Sequence, residues 1–194
     1  RNPTIILSDA SINQMMESVS FPEMHAHDPN KPEWAMKGKG DGPNKRHTSV
    51  MYYKPDYDAY MKGKYDRMIE NEQRWEEFSV DDAELILVAY GISARICEEV
   101  VEIARAKGQK VGLIRAISLF PFPTKAFEKL DIGKVKALAC AEISCLSQMI
   151  EDVVIAAKGQ VPVYPIRGGT RVYEADDILA EINKILAGKS EEVY

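Results

Sequence analysis

From residue 79 to residue 188 the chain repeats one pattern: a short apolar run, a turn, and a segment of helical period. Residues 85–90 (LILVAY) read as a strand and 93–107 as a helix. The helix is expected to bury Ile96, Val100 and Ile103 on one line, with Cys97, Val101 and Ala104 on the next. Ser93 is placed to cap its start and Gly108 to end it. Residues 110–115 read as a second strand, and PFPTKAFEKL as a turn and short helix. A third strand is expected over 135–141, then a helix over 147–158 stopped by Gly159, and a fourth strand over 161–166. The last helix spans 175–186, with Asp176 and Asp177 in its first turn, where the helix dipole favours acids, and Gly188 after it. Short links between alternating strands and helices imply an α/β layer on a mostly parallel sheet.

The flanks obey different rules. TIILSDASINQMMESV begins with an apolar run, 4–7, that reads as a buried strand, and a lone strand cannot stand without neighbours. This suggests that residues 1–24 are the end of a larger domain whose earlier strands lie upstream. No Leu or Ile occurs between Ile12 and Ile69, while Pro, Gly, Lys and Tyr abound. Such a stretch builds no core of its own. Residues 25–78 are therefore expected to be a long linker resting Trp34, Met51, Tyr52 and Tyr53 on a neighbouring surface. Its end, 55–78, reads as helical, with Met68 and Trp75 on one face. Residues 79–188 form the main domain, and 189–194 a frayed tail.

Composition excludes several functions. With 45% hydrophobic and 28% charged residues, the 194-residue chain suits a soluble globular protein. A net charge of -5 gives no nucleic-acid footprint. No apolar run approaches the roughly 20 residues of a membrane span, and no signal peptide is visible. The three cysteines, Cys97, Cys140 and Cys145, sit in apolar segments and fit a reducing cytoplasm better than a disulfide framework.

Ligands of open α/β sheets sit beyond the carboxyl ends of the strands, which here means Gly91 and Ser93, Arg115, Glu142, and Arg167 with Gly168 and Gly169. A dinucleotide loop needs Gly-x-Gly-x-x-Gly and an acid after the second strand; only Gly91 is present, and Arg115 stands where the acid belongs. A tight turn with a serine cap is the favoured reading. Arg115 and Arg167 suit a carboxylate or phosphate, or else an ion pair at an interface. Glu142 suits acid/base work if desolvated, or pairing with an Arg or a turn. Three cysteines without Cys-x-x-Cys spacing are core fillers rather than cluster ligands. His25 and His27 read as solvated loop residues rather than metal ligands. No catalytic set and no metal site emerges.

Several strings together carry a family resemblance: PTIILSD with QMMESV, DDAELILVAYGISARI, ARAKGQKVGLIRAISLFPFP, AEISCLSQMIEDVVIAAKG and PVYPIRGGTRVYEADDILAEI. In this order they resemble the alpha subunit of thiamine-diphosphate-dependent 2-oxoacid:ferredoxin oxidoreductases, most of all the branched-chain (2-oxoisovalerate) type. The likeness runs from the first residues to about residue 186. Two departures stand out: Ala116 replaces a usual Pro, and EISCLSQM, with Ser144 and Ser147, replaces a string with Asn or another small residue and then Gly-Gln.

The resemblance implies a division of labour. Residues 1–24 would end a thiamine-pyrimidine-binding domain, and 79–188 would be a three-layer domain like the C-terminal domain of transketolase. The glutamate that activates thiamine would lie upstream of Arg1. Thiamine diphosphate and magnesium would be held mostly by a beta subunit, and iron–sulfur clusters by a ferredoxin-like subunit or domain, with a gamma subunit completing the assembly. The substrates would be a 2-oxoacid and coenzyme A, with ferredoxin the electron acceptor. This chain would be a structural and assembly domain with no cofactor of its own, Arg115, Glu142, Arg167 and Ser93 lying at an interface or near an anion. A nucleotide-binding α/β module and a purely structural interaction domain are the alternatives.

Overall fold

The computed structural model describes residues 4–25, 56–190 and 193–194. The chain divides into two compact units, residues 1–63 and 64–194.

In the first unit, Asp9 caps the single turn α1 (Ala10–Asn13), its carboxylate accepting from the backbone N–H of Ser11 at 2.7 Å and Ile12 at 3.1 Å. Residues 4–7 form no strand, contrary to the reading above, and Ile5, Ile6 and Leu7 are exposed. The physical reason is that these residues have no ladder partner, and an extended run without neighbours has nothing to bind its backbone groups. Trp34, Met51, Tyr52, Tyr53 and His27 lie outside the described residues.

A polar helix, α2 (Tyr57–Asn71), leads to the second unit, which holds the regular architecture. Its elements are β1 (Trp75–Phe78), β2 (Leu85–Ala89), α3 (Gly91–Ala106), β3 (Val111–Ala116), α4 (Thr124–Glu128), β4 (Ala137–Glu142), α5 (Ile150–Ala156), β5 (Val163–Arg167) and α6 (Ala175–Leu186). The sheet order is β1-β3-β2-β4-β5; only β1 runs antiparallel, so the mostly parallel α/β sheet is as expected. Its central strands β2 and β4 are buried along their whole length, which explains why their sequences show no polar alternation.

Alternation still sorts the two faces. Leu85, Leu87, Ala89, Val111, Leu113, Ala137, Ala139 and Ala141 face α3 and α6, packing on Cys97, Val100, Ala104, Ile178 and Ile182. Ile86, Val88, Ile114, Leu138 and Cys140 face α4 and α5, packing on Phe127, Ile150 and Val153. The run of alanines along one face of β4 leaves α3 and α6 room to approach, while the larger Leu138 meets the short helices opposite.

Four element readings need correction. Trp75 is not on the face of a helix with Met68: α2 ends at Asn71, and Trp75–Phe78 pairs antiparallel with β3, Trp75 opposite Ala116 and Phe78 opposite Leu113. The ladder, a long-range partner that local periodicity cannot reveal, wins over helical propensity. Gln73 makes the break, its amide donating to the Ile69 carbonyl at 2.8 Å and accepting the Lys125 N–H at 3.0 Å. Ser93 does not cap α3: the helix already begins at Gly91 (φ 55), Tyr90 is the residue before it, and Ser93 is buried in the first turn. The helix expected over 147–158 contracts to α5 because residues 143–149 are held as a loop by Glu142. The tail is not wholly frayed. Tyr194 and Val163 exchange two backbone hydrogen bonds (3.1 and 2.8 Å), so the chain end is pinned to the outer edge of β5.

Candidate functional site

In this strand order the chain leaves β2 towards one face, through α3, and leaves β4 towards the other, through α5. The crevice where ligands of such sheets bind therefore opens between the carboxyl ends of β2 and β4. Tyr90 ends the first of these strands and Glu142 the second.

Glu142 is 2% exposed, and both of its carboxylate oxygens are engaged. Oε1 accepts from the Tyr90 hydroxyl at 3.2 Å and Oε2 from the Met149 N–H at 3.0 Å. Its main-chain carbonyl accepts the Gly168 N–H at 3.0 Å and shares the single Tyr173 hydroxyl proton with the Ile166 carbonyl, 2.7 Å from that hydroxyl. One residue thus ties together the loops leaving β2, β4 and β5. A Cβ on Gly168 would sit 3.0 Å from the Arg171 carbonyl and the Tyr173 ring, so the third loop can close on Tyr173 only without a side chain there. Burial and the nearby Glu142 raise the Tyr90 phenol above its ordinary range, and burial does the same to Tyr173. Both therefore serve as neutral hydrogen-bond donors. The arrangement fills the crevice with a satisfied polar buckle.

Of the other residues singled out from sequence, Gly168 joins this buckle, and Arg115, Arg167 and Ser93 do not. Arg115 lies on the α3 side of the sheet, pairing with Glu76 at 3.1 Å and Glu98 at 3.5 Å. Arg167 lines a separate cleft of about 530 Å³ with Lys184, Lys189, Glu181 and Ser190, between β5 and α6. Lys184 is itself held by Glu181 at 2.6 Å. Ser93 packs inside the first turn of α3.

Tyr90 and Tyr173 were not singled out from sequence. Tyr90 was legible in principle, since it follows an apolar strand immediately; Tyr173 becomes a partner of Glu142 only through the return of the β5 loop. Ser147 is a further surprise. It adopts φ 53, is 1% exposed, and its hydroxyl has no hydrogen-bond partner among the described residues. It stands at or near the position where the resemblance expects glycine, which takes that backbone conformation without strain.

Among the described residues the donors that the implied cofactors need are tied up inside the fold. Cys97 and Cys140 are buried on opposite faces of the sheet. Burial pushes the Cys97 thiol far up and that of Cys140 up to about 12, so neither offers the thiolate that an iron–sulfur cluster needs. Among the described residues no group of three or more His, Cys, Asp or Glu is placed to hold a metal. Glu142, the most enclosed carboxylate, already spends both oxygens inside the fold. No helix among them is long and apolar enough to cross a membrane.

Comparison with known proteins agrees with this architecture. Residues 83–178 match the family of pyruvate:ferredoxin oxidoreductase core domain II. The chain is 37% identical, over 98% of its length, to ketoisovalerate oxidoreductase subunit VorB of Methanothermobacter thermautotrophicus, of which it covers 54%. The chain therefore spans about half the length of the curated relatives it matches. Among solved structures, 2-oxoglutarate:ferredoxin oxidoreductase from Magnetococcus marinus, with 2-oxoglutarate, coenzyme A and succinyl-CoA bound, superposes with a TM-score of 0.57. That match is at 17% identity and covers 68% of this chain and 24% of the other. A split-gene transketolase, an inactive beta4 tetramer, superposes with a TM-score of 0.50 at 19% identity, over 60% of this chain and 42% of the other. At these identities the two structures show a likeness of fold alone. Residues 83–178 thus carry the likeness to core domain II of pyruvate:ferredoxin oxidoreductase, and almost the whole chain is similar to ketoisovalerate oxidoreductase subunits.

Proposed function

We infer that this chain is part of the alpha subunit of an enzyme that oxidatively decarboxylates a branched-chain 2-oxoacid. In that reaction the carboxylate leaves as carbon dioxide, the acyl group passes to coenzyme A, and two electrons pass to ferredoxin. The observation that carries the reading is the 37% identity to a ketoisovalerate oxidoreductase subunit across 98% of the chain. Residues 1–24 would close a pyrimidine-binding domain, 25–78 would be a linker, 79–188 a transketolase C-terminal-like domain, and 189–194 its tail. Residues 4–7 would find their ladder only within that complete domain.

In this reading the chain does no chemistry itself. Thiamine diphosphate and magnesium would sit mainly on a beta subunit, and iron–sulfur clusters on a ferredoxin-like subunit, with a gamma subunit completing a cytoplasmic complex. This division suits an acid already used as a buckle and two thiols held protonated by burial. The nucleotide-binding alternative is disfavoured, because the Tyr90–Glu142 pair occupies the crevice a nucleotide would use.

The test is reconstitution. The full-length subunit with its partners is expected to reduce ferredoxin in the presence of 2-oxoisovalerate and coenzyme A, and the 194-residue chain alone to show no turnover. Turnover by the chain alone would sink the assignment. In the assembled enzyme, Arg115→Ala and Arg167→Ala separate a ligand role from an assembly role. A raised KM for coenzyme A or oxoacid assigns the arginine to an anion; an unchanged KM leaves it to structure.

A further inference from the structure

The carboxyl edge of the sheet has two unusual flanks. The loop leaving β3 begins a run of nine residues, 116–124 (AISLFPFPT), without a charge, and the loop leaving β4 begins another of eight, 143–150 (ISCLSQMI). In a chain that is 28% charged, two such runs on either side of the β2 end are a marked local depletion. Part of each run is core, Ala116, Phe122, Met149 and Ile150 among it, but the tips are not buried: Ile117 is 53% exposed, Phe120 63% and Leu146 74%, and Leu119 is exposed beside them. Exposed apolar side chains with charge depleted are the signature of an interface centre rather than of an ordinary wet surface.

The loops are also held in shape. The Ser118 hydroxyl donates to the Pro121 carbonyl at 2.8 Å and accepts the Arg74 N–H at 3.0 Å. Ser144 accepts the Leu146 N–H at 3.1 Å, and Glu142 holds Met149. A surface ordered in advance loses little entropy on docking. Between the flanks the Tyr90 hydroxyl meets Glu142 at 3.2 Å.

We propose that this edge, centred on Ile117, Leu119, Phe120 and Leu146, is the docking face for the part of the full-length subunit outside these 194 residues. Relatives that align with nearly all of this chain extend for almost as many residues again, so a polypeptide of the required size is covalently at hand. Two uncharged flanks select an apolar, uncharged counter-surface, because a charge buried against them would lose its water without gaining a partner. The proposal rests on the reading that the working subunit extends past this chain, and is independent of which 2-oxoacid it takes.

Cys145 is a built-in reporter. It is exposed in the β4 loop, next to Leu146, whereas Cys97 and Cys140 are buried and serve as internal controls of folding. Its alkylation by N-ethylmaleimide, read by peptide mass spectrometry, is compared between the 194-residue chain and the full-length subunit. Labelling is expected to be at least about tenfold slower in the full-length subunit, as for any group reached only by local opening. Ile117→Asp with Leu119→Asp is expected to restore fast labelling there, and to leave the rate in the short chain unchanged. Equal rates in both proteins, or a full-length double variant that stays protected, would overturn the proposal. So would slow labelling of the short chain that speeds up on dilution, which would assign the edge to a second copy. Turnover is not read, so failure here is distinct from failure of the proposed reaction.

Discussion

Glu142 separates two ideas of what the carboxyl edge does, and its replacement tells them apart. In Glu142→Ala the Met149 N–H, in a buried residue, loses its acceptor, while the half-buried Tyr90 hydroxyl can turn to water. An unpaired buried donor costs about 1–3 kcal/mol, and the lost packing raises the total to about 2–4 kcal/mol. For a domain of this size that is a fall in Tm of roughly 10 °C. Glu142→Gln behaves differently. Its amide oxygen can still accept from Met149, and its amide nitrogen faces a hydroxyl that accepts as well as donates, so the cost is under about 1 kcal/mol. Thermal unfolding of the chain gives the stabilities, and the ferredoxin reduction proposed above, measured on the assembled enzyme, gives the function. A structural buckle predicts that Glu142→Gln keeps both, within a small factor. A loss of turnover of about a hundredfold or more with stability intact would make Glu142 an acid/base group and refute the reasoning. A Glu142→Ala chain as stable as the parent would refute the buckle itself.

Three further outcomes follow from the same geometry. Ser147→Gly is expected to stabilise the domain by about 1 kcal/mol, read by denaturant unfolding: relief of the left-handed backbone and of a buried unpaired hydroxyl outweighs glycine's extra unfolded-state entropy. A destabilised variant would mean that the hydroxyl is paired. Gly112→Ala is expected to cost about 1–3 kcal/mol, because its Cβ would lie 2.7 Å from the Ser79 carbonyl oxygen in a strand that cannot shift. An unchanged denaturation midpoint would show that the β1–β2 connection gives way. The hydrogen bond from Arg171 holds the Asp177 carboxyl below its ordinary 3.8, so its stabilisation is present above that value and is lost as pH falls through the folded-state pKa. Asp177→Asn should therefore flatten the acid side of the Tm–pH profile; an identical slope would contradict the linkage.

Much of the fold was legible because its signals are local. Ala175–Leu186 was readable to the residue, since an apolar stripe, two acids in the first turn and Gly188 all agree. β2 to β5 were legible as apolar runs between turns, and their mostly parallel pairing followed from the alternation with helices. Misreadings fell where a distant partner decides. WEEF (75–78) carries no strand signal of its own and becomes one by pairing with β3. TIIL (4–7) carries a strong one and has no ladder to join. Tyr194 joins the sheet edge through its backbone bonds to Val163, a residue 31 positions away. At the site, the strand-end positions of Arg115, Glu142 and Arg167 were readable, but their company was not.

By itself, the order of residues determined the α/β alternation, the glycines that follow α3 and α6 and the family likeness, since each depends on neighbours within a turn or a strand. Only the tertiary structure decided that Glu142 is spent on Tyr90 and Met149, that Arg115 is paired with Glu76 and Glu98, and that two uncharged loops share one edge. Those facts depend on which strands become neighbours. That choice minimises the exposed apolar area of the whole domain at once, and no window of sequence contains it.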